Sequence, residues 1–220
     1  MAPNSQPREL WLVGVGTEHS VAPALHTFIA KELNLPWKYV AKEFHDEQQC
    51  LQQIKMPVCA GCAVTMPCKK TIMPLLDDLD ESARVITACN TISINPAGRL
   101  TGYSHDWIGI ARALKEASSE IPGRPTDRSG LIIGAEGAAR AAVYALWNAC
   151  EEVNTMIQPW YIVGTVPDFE PRTPEEIALK TLLTYVLGMT NAKGVLLDMC
   201  YKSQYTRHIL LAKDAGWQTV

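Results

Sequence analysis

The chain has no long apolar run, no surplus of positive charge and no complete set of metal ligands. A helix needs about 20 apolar residues to cross a bilayer, and no run here approaches that, so no helical membrane span is expected. Lys and Arg number 20 against 23 Asp and Glu, a formal net charge of −3. That balance gives no electrostatic footprint for nucleic acid or an anionic membrane. Met1–Glu9 is too polar for a secretory signal, which makes the expected location cytoplasmic. The seven cysteines are an odd number. Cys59-Ala-Gly-Cys62 has CxxC spacing, but no second pair or nearby histidine completes a zinc set, so no metal is expected. A redox CxxC would open a helix, whereas this one lies inside a strand-like run. All seven read as reduced, mostly buried thiols.

The 220 residues suffice for one large domain or two small ones, and 47% apolar with 20% charged residues is an ordinary globular composition. Leu10–Gly16 reads as a buried strand ending in glycines. Pro23 suits the first turn of a helix, with Leu25, Phe28, Ile29 and Leu33 at helical spacing. Lys38–Phe44 alternates like a strand, and His45–Ile54 looks helical. Cys59–Val64 is a buried strand stopped by Pro67, which cannot donate to a sheet ladder. Lys69 follows at its carboxyl end, where α/β proteins build sites. Taken alone, Lys69 and Lys70 read equally as a solvated helix start.

Thr71–Ala88 reads as helical segments, Asn90–Ile94 as a strand, Pro96-Ala-Gly98 as a turn and Ile108–Ala117 as an amphipathic helix. Residues 118–129 hold two prolines, a glycine and mixed charges, a linker composition. Beyond them Gly130–Gly134 is a strand feeding an alanine-rich helix to about Asn148. Trp160–Val166 and Gly194–Cys200 are strands, and Thr173-Pro-Glu-Glu176 is a helix start. Alternating strands and helices predict two α/β domains with largely parallel sheets: 1–117, a linker 118–129, and 130–220.

Four ordered patches carry a resemblance. Glu18-His19-Ser20-Val-Ala-Pro-Ala-Leu-His26 resembles the substrate-carboxylate turn of shikimate and quinate dehydrogenases. Ala63-Val-Thr65-Met-Pro67-Cys-Lys69 is similar to their NVTxPxK segment, Ala88-Cys-Asn90-Thr91-Ile92 to AVNTI, and Gly102-Tyr-Ser-His-Asp106-Trp-Ile-Gly109 to GxNTDxxG. The phrases SVAP, AVTMP and AVYALW look most like the fungal quinate dehydrogenases. The resemblance implies a two-domain shikimate-dehydrogenase-like fold, an α/β substrate domain followed by a Rossmann-like domain. It also implies that Lys69 and Asp106 are the catalytic pair exchanging a proton with a substrate hydroxyl. Thr65 and Asn90 then hydrogen-bond ring hydroxyls, Ser20 binds the substrate carboxylate, and Tyr201 lies in the closing segment and contacts substrate. Turn and strand-end chemistry is the alternative for Ser20, Thr65 and Asn90. His105 stands where threonine is usual, and reads either as an extra acid or base or as a packed strand residue.

The departures concern the cofactor. The family opens its second domain with GAGGAxRA, and here Gly134 and Gly137 remain while Glu136 replaces the glycine that touches the phosphates. A carboxylate there repels a dianion. The family's Asn-Arg pair for the adenosine phosphate has no counterpart in Cys150–Gln158, where Glu151 and Glu152 carry the wrong sign. The second domain is therefore expected to be truncated, with a degenerate loop and no cofactor. The family's last helix is likewise expected to have no counterpart in the closing segment. Three functions follow. The first is cofactor-free acid–base chemistry (enolisation, dehydration or cyclisation) on a small hydroxy-keto metabolite, with a role in fungal secondary metabolism. The second is an NADP- or NAD-dependent quinate or shikimate dehydrogenase, and the third a non-catalytic metabolite sensor. The expected partner is a small-molecule substrate, within a homodimer and without nucleic acid or membrane.

Overall fold

The computed structural model describes residues 8–122, 129–149, 159–189 and 193–220. The chain divides into two compact units, 1–105 and 106–220.

In unit 1 the apolar run becomes β1 (Arg8–Gly14), with Trp11 to Val13 buried. A 3-10 turn at Thr17–His19 leads to α1 (Ala22–Glu32), whose first turn holds Pro23. β2 (Trp37–Glu43) pairs parallel with β1, and α2 (Glu47–Ile54) starts where the Gln49 N–H donates to the Asp46 carboxylate at 2.9 Å. β3 (Cys59–Val64) also runs parallel to β1 and passes through Thr65–Pro67 into the short α3 (Cys68–Thr71).

Next come β4 (Asp78–Leu79), α4 (Glu81–Ile86), capped by Asp80, then β5 (Thr91–Ile94) and β6 (Leu100–Tyr103). The sheet order is β2-β1-β3-β5-β6-β4. Its core gathers Trp11, Val13, Ile54, Ile72, Ile92 and Leu100 with five cysteines.

Two expectations are corrected here. The first sheet is mixed rather than largely parallel, because β5 runs antiparallel to both β3 and β6. The β5–β6 connection, residues 95–99, is far too short for a parallel crossover. Asn95 Oδ1 closes it as a turn, accepting from the Ala97 and Arg99 N–H groups at 3.0 Å each. The stretch Thr71–Ala88 is also not wholly helical, since β4 interrupts it and pairs with β6. α1 forms where helical spacing places it. Yet Leu25, Phe28, Ile29 and Leu33 are all exposed, and Ala30 is the buried residue of the helix.

Unit 2 comprises α5 (Asp106–Ser119), β7 (Ser129–Ile133), α6 (Gly137–Ala149), β8 (Pro159–Gly164), α7 (Pro174–Met189), β9 (Val195–Asp198), α8 (Arg207–Asp214) and β10 (Gln218–Thr219). α5 packs against α6 and β9 and so belongs to this unit, which places the division ahead of the expected linker at 118–129. Residues 123–128 of that linker lie outside the described residues. All pairings in the sheet are parallel, in the order β10-β9-β8-β7. β8 is buried from Trp160 to Gly164, as a strand covered on both faces should be. α7 opens with the expected reciprocal cap: the Thr173 N–H donates to Glu176 Oε2 at 3.0 Å, and the Glu176 N–H to Thr173 Oγ1 at 3.3 Å. Ile133, Ile162, Leu183, Leu187, Leu196 and Trp217 make the core.

Candidate active site

The carboxyl ends of β1 and β3 are tied together by main-chain bonds, and these fix the first candidate residues. The Thr65 N–H donates to the Val13 carbonyl at 2.8 Å, and the Val15 N–H to the Met66 carbonyl at 3.0 Å. This close approach depends on Gly14. Its φ is +153°, and a Cβ there would stand 2.5 Å from Thr65 Cγ2 and 2.8 Å from the Met66 carbonyl oxygen. The sequence reading treated Gly14 only as a strand end, although glycine directly after an apolar strand is the signal that marks such a position.

Asn90 joins the same end from the next strand. The Val64 N–H donates to the Asn90 carbonyl at 2.8 Å, and the Cys89 N–H to the Lys69 carbonyl at 2.7 Å. The Asn90 side-chain oxygen accepts from Thr91 Oγ1 at 2.9 Å and from the His105 N–H at 3.0 Å. Bonds of their chain neighbours Val64 and Cys89 thus hold Thr65, Lys69 and Asn90 at one end of the sheet, His105 bonds Asn90 directly, and Thr65, Lys69 and Asn90 are half-buried.

His105 is exposed and its ring stacks on Tyr103 at 5.5 Å. It is not a packed strand residue, and its main-chain N–H is what engages Asn90. Ser20 follows the 3-10 turn after β1, half-buried, with its Oγ accepting from the Ala22 N–H at 3.2 Å. Thr17, in that turn, is buried and donates its N–H to Glu43 Oε1 at 2.8 Å, while its hydroxyl is buried without a partner among the described residues.

In unit 2, Asp106 is the first residue of α5 and half-buried. Tyr201 is exposed on the loop after β9. That loop is anchored by Asp198, whose side chain is 1% exposed. Its carboxylate accepts from Thr206 Oγ1 at 2.6 Å and from the Cys200 N–H at 3.0 Å, with His208 Nδ1 at 3.4 Å. Burial alone would raise the Asp198 pKa, but the hydrogen bonds from His208, Thr206 and Cys200 prevail and hold it below the ordinary carboxylate value. Sequence reasoning missed His208, which belongs to no spaced motif.

The glycine loop between β7 and α6 holds Gly134 and Glu136. Gly134 has φ +131°, and a Cβ there would lie 2.0 Å from Thr165 Oγ1, so its need for glycine is met inside the unit. Glu136 is exposed, and its carbonyl accepts from the Arg140 N–H at 3.1 Å as α6 begins at Gly137. Negative charge is favoured at a helix start, which is also where a phosphate would bind, so the carboxylate competes for that place. The segment Cys150–Gln158 lies outside the described residues.

The six described cysteines are free thiols, and Cys59 and Cys62 lie inside β3. Burial pushes the Cys50 thiol up to about 12 and Cys89 to about 11, and raises Cys62 well above its usual value. Cys150 lies outside the described residues. Among those residues no cluster of three or more His, Cys, Asp or Glu could hold a metal ion.

The order of these elements matches known proteins. Residues 12–92 match the shikimate dehydrogenase substrate binding domain. The dehydroquinate dehydratase and shikimate dehydrogenase from S. pombe AroM shares 27% identity and a TM-score of 0.74, over 98% of this chain and 47% of that one. The chain thus spans about half the length of that protein. A shikimate dehydrogenase solved in complex with NADP+ shares 26% identity and a TM-score of 0.75, over 97% of this chain and 83% of that one. The shikimate dehydrogenase from Aquifex aeolicus shares 25% identity and a TM-score of 0.73, over 98% and 86%. The matched span contains Ser20, Thr65, Lys69 and Asn90. His105, Asp106 and Tyr201 lie beyond it.

Proposed function

We propose that the chain is a shikimate-dehydrogenase-like enzyme whose unit 1 binds a small hydroxylated carboxylic acid of the quinate or shikimate kind. Ser20 takes the carboxylate, Thr65 and Asn90 take ring hydroxyls, and Lys69 with Asp106 carries the proton of the reacting hydroxyl. Tyr201 adds a substrate contact. The supporting observation is that main-chain bonds bring Thr65, Lys69 and Asn90 to one end of the sheet, within a span matched to a substrate-binding domain. Replacing Lys69 with alanine is expected to lower turnover by roughly a hundredfold or more. Full activity in that variant would remove the reading.

Two forms of the chemistry are distinguished by the cofactor. The comparisons favour an oxidoreductase, because a similar protein was solved with NADP+. On that form NADP would supply the hydride acceptor. Unit 2 favours the second form, acid–base chemistry without a nucleotide, through Glu136 and the end position of β7 in its sheet. Titrating the protein with NADPH and NADH, followed by nicotinamide fluorescence, separates them. Saturation at micromolar cofactor establishes the first form. No binding at millimolar cofactor, with turnover of a hydroxy-keto acid that Lys69→Ala abolishes, establishes the second.

We also propose a homodimer, since α1 exposes Leu25, Phe28 and Leu33 to 52–62%. Light scattering at micromolar concentration tests this, and a monomer there would remove it.

A further inference from the structure

A cavity of about 400 Å³ lies at the opposite end of unit 1's sheet from Thr65 and Asn90. It sits where β1 and β3 begin and β5 ends, lined by Arg8, Lys55 and Asn95 and by apolar groups that include Ile54, Met56 and Ile94. Ligand pockets typically run from about 300 to 1,000 Å³, so the volume suits a small molecule.

Its electrostatics are one-sided. Arg8 and Lys55 supply two positive charges, and no carboxylate lines the cavity. Neither forms an ion pair among the described residues. One Arg8 nitrogen donates to the Cys59 carbonyl at 3.1 Å, which orients the guanidinium and leaves its other donors available. The Asn95 oxygen is committed to the Ala97 and Arg99 N–H groups, which leaves its amide NH₂ as a further donor. Cationic and amide donors above an apolar wall, in a chain of net charge −3, make a local anion site.

We propose that this cavity binds a small organic acid, with the anionic head on Arg8, Lys55 and Asn95 and an apolar body against Met56, Pro57 and Ile94. It is separate from the candidate active site and shares no residue with it. Met56, 46% exposed, and Pro57 form part of the rim on the α2–β3 connection.

The test is calorimetry with benzoate, with benzamide as the uncharged isostere and inorganic phosphate as the head without a body. Benzoate is expected to bind, with affinity falling as salt rises. Benzamide should bind at least about tenfold more weakly, and Lys55→Glu should reduce benzoate affinity by roughly the same factor or more. Among the described residues Lys55 makes no hydrogen bond through its side chain, so that variant leaves those contacts in place; Arg8→Gln is the second variant. Unchanged benzoate binding in both variants would overturn the proposal, as would equal binding of benzamide or phosphate. Benzoate binding that disappears in Lys69→Ala would assign the acid to the candidate active site and likewise overturn it.

Discussion

Replacing Thr206 with alanine should destabilise unit 2 by about 2.5–4 kcal/mol, as the sum of two losses. The hydroxyl caps α8, accepting from the Ile209 N–H at 3.2 Å, and removing such a cap costs about 1 kcal/mol. The same hydroxyl donates to Asp198 at 2.6 Å, and losing a hydrogen bond to a buried charge costs roughly 1.5–3 kcal/mol. Thr206 itself is 1% exposed, so water cannot replace it without a shift in packing. Urea unfolding followed by tryptophan fluorescence measures the loss, since Trp217 is buried in the same core. Thr206→Ser keeps both bonds and should stay within about 1 kcal/mol of the parent. A loss below about 1 kcal/mol in the alanine variant, or equal loss in both, would refute the reasoning.

The pH dependence follows from the direction of the Asp198 shift. Its folded pKa is depressed, so its stabilisation is present above the unfolded value of about 3.9 and disappears as pH falls through the folded value. The difference between parent and Thr206→Ala should therefore be full at neutral pH and shrink below about pH 4. Because Asp198 also accepts from the Cys200 N–H, the loop carrying Tyr201 should loosen with it. Hydrogen exchange at Cys200 and Tyr201 would show this as faster exchange in the variant.

Glu136→Gly should improve NADPH affinity by roughly 5- to 30-fold, the equivalent of removing one screened like-charge contact of about 1–2 kcal/mol; fluorescence titration reads it, and micromolar binding by the parent chain would refute the obstacle. Gly14→Ala should destabilise unit 1 by about 1–3 kcal/mol, because the Met66 carbonyl in its path is main chain and cannot swing away. Parental stability in urea would contradict that. At pH 8 iodoacetamide should label the half-exposed Cys200 well before Cys50, Cys62 and Cys89, whose burial disfavours the reactive thiolate. Peptide mapping by mass spectrometry decides it, and equally fast labelling of Cys62 would show that the β3 core opens.

Local features were legible wherever the chain itself encodes them. The apolar runs at β1, β3, β7 and β8, the glycine turns and the Thr173–Glu176 cap all act over a few residues, and each appears where the spacing puts it. Strand direction was not legible in unit 1, because period and apolarity are the same for a parallel and an antiparallel neighbour. Only the length of the 95–99 connection carried that information. α1 shows a second limit. Helical spacing of Leu25, Phe28, Ile29 and Leu33 identifies a face, but not what covers it, and the face is exposed. His208 shows a third, since its contact with Asp198 depends on Gly164 leaving room at the end of β8, a fact of packing between three segments. The candidate residues Thr65, Lys69 and Asn90 are legible through motif resemblance, while the bonds from Val64 to Asn90 and from Cys89 to Lys69 that bring their segments together are not visible in any one motif.

Strand order adds an argument about the nucleotide that no side chain supplies. In open parallel α/β sheets a ligand binds outside the carboxyl ends of the strands, at the point where strand order reverses and two loops part. Unit 2 runs β10-β9-β8-β7 without reversal among the described residues, and β7, whose loop holds Glu136, closes the order. A crevice of that kind needs a further strand on the far side of β7. On the proposed cofactor-free form, Glu136 is the smaller of two obstacles. A glycine there removes a charge but does not create a second wall, which limits the expected gain in NADPH affinity to the screened contact alone. The main-chain bonds from Val64 to Asn90 and from Cys89 to Lys69, by contrast, lie within residues 1–105. A Glu136→Gly variant that turned over a hydroxy acid with NADP at full rate would show that the end position of β7 among the described strands sets no such limit.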